Sequence, residues 1–198
     1  MGLMIDDGVG QGYSAKVTKR NQLAVYSESA SIQHYISANQ GQAYQVIGDF
    51  ATVNNSTHTV LHVKNSDSDR LMVATYMRVN LLDFAGGTSV PNVATYFDIG
   101  FGRTVSSGGT AVTPVNMNRD SGNTASVTAT DNNPTMTGTF TEIDRHYVQA
   151  EGQEWTYNKE GTVILGLNDT IEVRVTSDHT SGVAYARMSF IMLDPRDG

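Results

Sequence analysis

The chain has 198 residues, which suits one domain or one domain with an extended arm. Its formal net charge of −7 argues against a general nucleic-acid-binding protein, because such proteins need basic surfaces that neutralise phosphates. Cysteine is absent, which excludes disulfides, thiolate metal sites and cysteine nucleophiles. No signal-peptide pattern opens the chain, and no apolar run approaches the roughly 18 residues of a membrane span. We therefore expect a soluble protein with no membrane or nucleic-acid partner.

The first 22 residues are rich in glycine and lack the sustained hydrophobic period that the rest of the chain shows. Three of the chain's 13 lysines and arginines lie close together here, at Lys16, Lys19 and Arg20. One interpretation is a disordered terminus, since chain ends are commonly unstructured unless they are tied down. The other is an arm that becomes ordered against a neighbouring subunit and buries apolar side chains such as Val17. Both interpretations remain open at this stage.

Residues 27–40 contain the best helix candidate in the sequence. Ile32, Tyr35 and Ile36 follow the i, i+3, i+4 spacing of one helical face, and Gly41 is suited to ending a helix. The segment predicts either one short amphipathic helix or an extended stretch. We accordingly divide the chain into an N-terminal arm with a short helix at 1–41 and a β-sandwich domain at 42–198.

From residue 42 onward the sequence predicts β-strands. In the strand expected at 71–82 we expect one apolar face, which is interrupted only by Thr75. This face consists of Leu71, Val73, Met77, Val79 and Leu81. The 102–141 stretch has the weakest strand signal, and its two prolines favour edge strands or loops. The expected strands are 43–50, 57–64, 71–82 and 94–101, with further strand character at 143–157.

The strongest periodic signal lies at residues 161–194. Residues 171–175 alternate apolar and polar side chains after an Asx-rich turn at 167–170, and residues 184–192 alternate in the same way. Since side chains alternate across a strand, each strand should have one buried face and one wetter face. The last strand is expected at the centre of a sheet, because a long apolar edge would invite aggregation. Its expected buried set is Ala184, Ala186, Met188, Phe190 and Met192.

These patterns amount to eight to ten strands with little helix. They favour an all-β fold, an antiparallel jelly-roll β-sandwich with an extended N-terminal arm, and a barrel is the alternative. The sequence has no internal repeat of fixed period, which argues against a solenoid or a propeller.

None of the common catalytic templates is matched. The 105–109 stretch lacks the first glycine of a nucleophile elbow and predicts a hairpin loop instead. His58 and His62 would share one face of a strand but lie about 13 Å apart, which is too far for one metal ion. The Asp67 and Asp69 pair predicts a strand-connecting turn. We expect no enzymatic activity, no cofactor and no metal.

Four carboxylates leave one catalytic alternative open. A glycosidase needs two carboxylates a few ångströms apart, and sequence separation does not establish such spacing. The candidates are Glu142, Asp144, Glu151 and Glu154.

Gly10, Gly12, Tyr13, Ala15 and Val17 fit a G-x-G-Y-x-A-x-V opening, and Gly41, Ala43 and Tyr44 fit a later G-x-A-Y strand. With these motifs the N-terminal stretch resembles head-associated structural proteins of tailed bacteriophages. The 108–119 stretch is similar to a recurrent phage-protein phrase. The ending, with its L-N-D-T-I-E-V turn and long apolar strand, is similar to tumour-necrosis-factor-like jelly rolls.

The resemblance implies a decoration (cement) protein on the exterior of a virion capsid. Such a protein would be assembled in the host cytoplasm, would bind the major capsid protein and would usually be a homotrimer. In this hypothesis the arm supplies the partner-binding residues, namely Tyr13, Lys16, Val17, Lys19 and Arg20.

The alternative hypothesis is a glycan- or receptor-binding β-sandwich module of a phage tail or capsid. A glycan-binding module would need aromatic side chains exposed on a sheet face or at loop tips. The candidates are Tyr96, Tyr147, Trp155 and Tyr157.

Overall fold

A computed structural model describes residues 36, 40–50, 56–85, 95–148, 152–158, 162–177 and 181–194, with the side chains of 83–85 left out. The predicted helix at 27–40 lies outside these residues except at positions 36 and 40, as does most of the predicted arm at 1–41. Within the described ranges, no helix is both long enough and apolar enough to cross a membrane.

Fourteen strands make up the described part of the chain. In chain order they are β1 (Ala43–Phe50), β2 (Ser56–Asn65), β3 (Leu71–Ala85), β4 (Tyr96–Phe101), β5 (Thr104–Ser107), β6 (Thr110–Val112), β7 (Val115–Asn116), β8 (Val127–Asp131), β9 (Thr135–Thr137), β10 (Thr141–Tyr147), β11 (Glu154–Tyr157), β12 (Val163–Leu165), β13 (Thr170–Ser177) and β14 (Ser181–Leu193).

The strands form two antiparallel sheets and a separate two-stranded ribbon. Sheet 1 has the order β7-β1-β14-β3, and β11 and β12 both pair with β3. Sheet 2 has the order β10-β4-β13-β2-β8-β6, and the ribbon pairs β5 with β9. Without the short edge strands, the orders β1-β14-β3-β12 and β2-β13-β4-β10 are those of a jelly roll, in which the chain passes repeatedly from one sheet to the other. The predicted all-β antiparallel jelly-roll sandwich is confirmed.

The predicted number of strands, eight to ten, was too low. The additional strands lie mainly within 102–141, where β5, β6, β7 and β9 have only two to four residues each. Two of them, β6 and β7, are sheet edges, and both Pro114 and Pro134 lie between strands. Proline cannot donate to a ladder, so this position agrees with the expectation for the region.

The last strand occupies the position that its pattern predicts. β14 pairs with β3 on one side and with β1 on the other, so it is a central strand of sheet 1. Tyr185 between the buried positions is 39% exposed. The predicted buried set is at most 1% exposed, and comprises Ala184, Ala186, Met188, Phe190 and Met192.

A β-bulge divides β3 into two halves with opposite side-chain parity. Thr75 has no partner in the ladder with β14. Met72 and Ala74 therefore join the core between the sheets, whereas Leu71 and Val73 lie on the other face of the strand. The prediction that Leu71 and Val73 share a face with Met77, Val79 and Leu81 was wrong, because one extra residue reverses the alternation on which period-two counting depends.

A second, small apolar cluster lies on the outer face of sheet 1, the face that points away from the core. It contains Ile36, Ala43, Val73 and Ile191, with Leu193 packed against it. Ile36 is only 1% exposed, and its carbonyl oxygen accepts a hydrogen bond from the Gln42 amide at 3.1 Å. Ile36, seven residues before the start of β1, therefore covers one end of this outer face.

The two sheets approach each other closely where β1 passes β2 and β8. Gly48 of β1 lies at this point, and a Cβ atom there would be 2.9 Å from the main-chain oxygen of Val60 and 2.9 Å from the Cβ of Asp131. Real Cβ contacts of this kind are essentially never so short, so glycine permits the approach.

Gly48→Ala is expected to lower the free energy of unfolding by about 1–3 kcal/mol, because main-chain atoms of β2 would have to move. Urea unfolding of the purified variant measures the change. Gly122→Ala is the matched control, since a Cβ at Gly122 meets nothing within 4 Å. Equal unfolding midpoints for the two variants would contradict the assignment.

Candidate functional site

The candidate site is the outer face of sheet 2, which the β5–β9 ribbon partly covers. The β4–β10 ladder ends at Phe101 and Thr141, and the same two segments continue into the ribbon beyond Gly102 and Gly138. Both glycines have a positive φ, of 92° and 98°, which residues with a side chain rarely adopt. The chain then rejoins sheet 2 at its opposite edge through β6 and β8. The ribbon therefore crosses the outer face over β13 and β2.

Beneath the start of the ribbon lies a buried polar cluster. Glu172 of β13 is 1% exposed, and its Oε1 accepts a hydrogen bond from the Thr59 hydroxyl at 2.5 Å and one from Arg103 Nη1 at 3.2 Å. His62 lies directly opposite Glu172 in the β2–β13 ladder, and its Nε2–H donates to the Arg103 carbonyl oxygen at 3.0 Å. Side chain and main chain of Arg103 thus hold the ribbon to two neighbouring strands.

Burial controls the protonation of this cluster. It raises the pKa of Glu172, and the Thr59 hydrogen bond and the charges of Arg103 and Arg174 offset only part of that increase. Burial also lowers the pKa of His62. The nearby positive charges of Lys64 and Arg103 lower this pKa further, whereas the hydrogen bond to the Arg103 carbonyl oxygen raises it in part. Both shifts favour uncharged side chains beneath the ribbon.

A network of four charges lies beside this cluster on the same face. Asp98 is 1% exposed; its Oδ1 accepts from Arg145 Nε at 2.6 Å and its Oδ2 accepts from Arg174 Nη2 at 2.9 Å. Arg145 also donates from Nη2 to Glu142 Oε2 at 2.6 Å. The Arg174 guanidinium carbon lies 3.3 Å from the centroid of the Phe140 ring. Two carboxylates and two guanidinium groups make the network electrically balanced.

The end of this face beyond the network carries a row of four side chains. Tyr147, Tyr96, Thr176 and Thr57 are successive partners across β10, β4, β13 and β2. The two tyrosine rings are 5.6 Å apart at an interplanar angle of 62°, and Tyr147 is 52% exposed. The Arg145 guanidinium carbon lies 4.2 Å from the centroid of the Tyr96 ring. The two threonine hydroxyls are 2.8 Å apart.

The two histidines of β2 do not share a face, contrary to the sequence-based expectation. Val60 is an extra residue in the pairing of β2 with β13, so the alternation reverses between His58 and His62. His58 pairs with Val175, whose side chain is in the core, while His62 pairs with the outward-facing Glu172. Among the described residues, no group of three or more histidine, aspartate or glutamate side chains is placed to hold a metal ion.

Asp67 lies in a turn between two strands, as predicted from the sequence. Asp67 Oδ1 accepts hydrogen bonds from the amides of Asp69 and Arg70 at 2.9 and 3.0 Å, and its Oδ2 is 2.7 Å from Arg70 Nη2. These contacts connect β2 to β3 and leave the Asp67 carboxylate 7% exposed. The group is therefore a structural part of the turn.

Three of the four glycosidase candidates contact arginines of the same chain. Glu142 pairs with Arg145, and Glu154 pairs with Arg78. Asp144 Oδ1 accepts a hydrogen bond from the Arg145 amide at 2.8 Å. Glu151 lies outside the described residues.

The aromatic candidates divide into two groups. Trp155 packs against the core and stacks on His146 with ring centroids 5.0 Å apart, which closes the open edge between the two sheets, and Tyr157 is buried. Tyr96 and Tyr147 lie on the outer face of sheet 2.

The five arm residues predicted to bind a partner lie outside the described residues, so their role stays a prediction. They are Tyr13, Lys16, Val17, Lys19 and Arg20.

A scan against models of protein families gives no match to the chain, and a search of curated proteins gives no match to its sequence.

Glu172→Gln is expected to reduce the pH dependence of stability. Because the pKa of Glu172 is raised from its ordinary value of 4.5, the folded chain binds this proton more tightly than the unfolded chain does. Stability due to Glu172 should therefore be greatest at low pH and fall as pH rises through the raised pKa. Urea unfolding from pH 4.5 upward should show wild type losing stability relative to the variant. A difference that stays constant or grows in favour of wild type would contradict the burial effect.

Asp98→Asn should destabilise the fold more than the matched surface change Glu154→Gln. Breaking a fully buried ion pair costs about 3–5 kcal/mol, and we expect about 2 kcal/mol for Asp98, because Arg145 and Arg174 keep some solvent contact. Glu154 and Arg78 are more exposed, so their pair should contribute less than about 1 kcal/mol. Thermal or urea unfolding of both variants compares the two costs, and equal costs would show that the network contributes little.

Proposed function

We propose that the chain is a structural virion protein that decorates and stabilises the exterior of a tailed-phage capsid, without enzymatic activity of its own. The resemblance of its opening and middle stretches to phage head proteins motivates the proposal. The structural observation that supports it best is the role of the buried ionisable groups. Asp98 and Glu172 are each 1% exposed and bind arginines of the same chain, whereas a catalytic group must reach a substrate.

The proposal includes self-association through the outer face of sheet 1. Single exposed apolar side chains are common on protein surfaces, but here four of them share one face of one sheet. Ile47 is 48% exposed, Val115 66%, Ile164 53% and Tyr185 39%. Cyclic symmetry would cover such a face in every subunit, and a homotrimer is the form that the resemblance implies.

The arm is the proposed contact with the major capsid protein. Lys16, Lys19 and Arg20 would supply positive charge to a chain whose net charge is −7, and Tyr13 and Val17 would supply apolar contact. A trimer would present three arms to a repeating lattice, so weak individual contacts would add up through effective concentration.

Two measurements on the purified protein test this function. Light scattering should give three times the 21.4 kDa chain mass, and the same sample should sediment together with undecorated capsids. A monomer that does not sediment with capsids would overturn the proposal.

Deletion of residues 1–22 should abolish capsid binding and leave the trimer folded, because the arm contacts the capsid and sheet 1 contacts the other subunits. Replacement of Lys16, Lys19 and Arg20 by alanine in the full chain is the control that separates charge from the presence of the arm. The readouts are sedimentation with capsids and light scattering. Normal binding by the truncated protein would show that the arm is not the contact.

A further inference from the structure

We propose that the row formed by Tyr147, Tyr96, Thr176 and Thr57 is a binding surface for neutral saccharides. Such binding goes beyond capsid attachment, and it uses the sheet opposite to the one proposed for self-association. The surface combines an exposed aromatic ring, hydroxyls aligned beside it and balanced charge.

Tyr147 and Tyr96 are placed to present aromatic surface. Phe97 and Ile99 of β4 are in the core, so Tyr96, the residue before Phe97, points outward, and its ladder partner Tyr147 points the same way. Tyr147 is 52% exposed although it touches Tyr96. The apolar C–H face of a pyranose ring packs on an aromatic side chain of this kind, and the tyrosine hydroxyl adds a polar edge.

A neighbouring arginine holds Tyr96 in a fixed orientation. Arg145 lies over the Tyr96 ring and is held there by the buried Asp98 and by Glu142, so the orientation of Tyr96 is fixed before a ligand arrives. A preorganised side chain loses little conformational entropy on binding, which favours affinity.

The same row contains a pair of threonine hydroxyls. One hydroxyl of Thr57 and Thr176 donates to the other, which leaves one O–H donor and free lone pairs for a ligand. Sugar hydroxyls also donate and accept, so the two sets are complementary. Four strands span about 14 Å at the usual strand spacing, which is enough for a short oligosaccharide.

The charge of the surface selects the neutral class. Arg145 and Arg174 are balanced by Asp98 and Glu142 through direct ion pairs, so no cation of this network is left to attract a carboxylate or sulfate group. An anionic glycan would gain nothing here over a neutral one.

The test uses titration of the full-length protein, followed by NMR amide shifts, with maltohexaose, cellohexaose, chitohexaose and mannohexaose as neutral probes and a galacturonic acid hexamer as the anionic comparison. At least one neutral probe should bind with shifts at Tyr96, Tyr147 and Thr176. Tyr147→Ala should weaken that binding at least tenfold, and Tyr147→Phe should retain most of it because the ring remains.

Leu167→Ala is the matched control, because Leu167 is 52% exposed, as Tyr147 is, and lies in the turn between β12 and β13, outside both the row and the face proposed for self-association. It should bind the probe as wild type does, and both alanine variants should keep the wild-type circular dichroism spectrum. Failure of every neutral probe to bind at millimolar concentration, binding of the anionic probe alone, or equal loss in both alanine variants would each overturn the proposal. Tyr147→Ala should sediment with capsids as wild type does. This measurement distinguishes a loss of saccharide binding from failure of the decoration function.

Discussion

The pairing of β14 with both β3 and β1 is the constraint on which the rest of the sandwich depends. In a two-layer sandwich each strand turns one face to the core, and the regular alternation from Ala184 to Met192 determines which face of β14 that is. The neighbours must then match that register, and β3 does so by means of a bulge at Thr75. Sheet 1 is therefore built to fit its last strand, and sheet 2 closes over the core face that results.

The long strands could be predicted because each has a strong alternating pattern, and β1 was predicted with the residue bounds that the structure shows. The errors in the predicted facing of side chains arise at single extra residues. Thr75 in β3 and Val60 in β2 reverse the facing of the residues on one side of them, and neither position carries a sequence signal such as glycine or proline. The position of a bulge depends on the pairing with the partner strand, so the pattern along one strand does not reveal it.

The polar layer on sheet 2 could not be predicted for a related reason. Glu172 was correctly expected to point away from the core, yet it is buried because the ribbon crosses above it. The available signal was indirect: Gly102 and Gly138 lie where two paired strands bend together, and Arg103 follows the first of them. That pairing joins residues 33 apart in sequence, so it becomes visible only once the ladder is known. Tyr96 and Tyr147 were likewise among the aromatic candidates. Which candidates are exposed and which, like Tyr157, are buried follows only from the pairing register of the strands.

The course of the ribbon has a mechanical consequence for the sandwich. The ribbon leaves sheet 2 beside β4 and β10 and rejoins it at β6 and β8, so covalent chain spans the sheet from one side to the other above β13 and β2. A lateral force that would separate these strands therefore loads peptide bonds and the Arg103 contacts in addition to the ladder hydrogen bonds. The arrangement works as a tie across the sheet, and it gives this face greater tensile strength than its hydrogen bonds alone would provide.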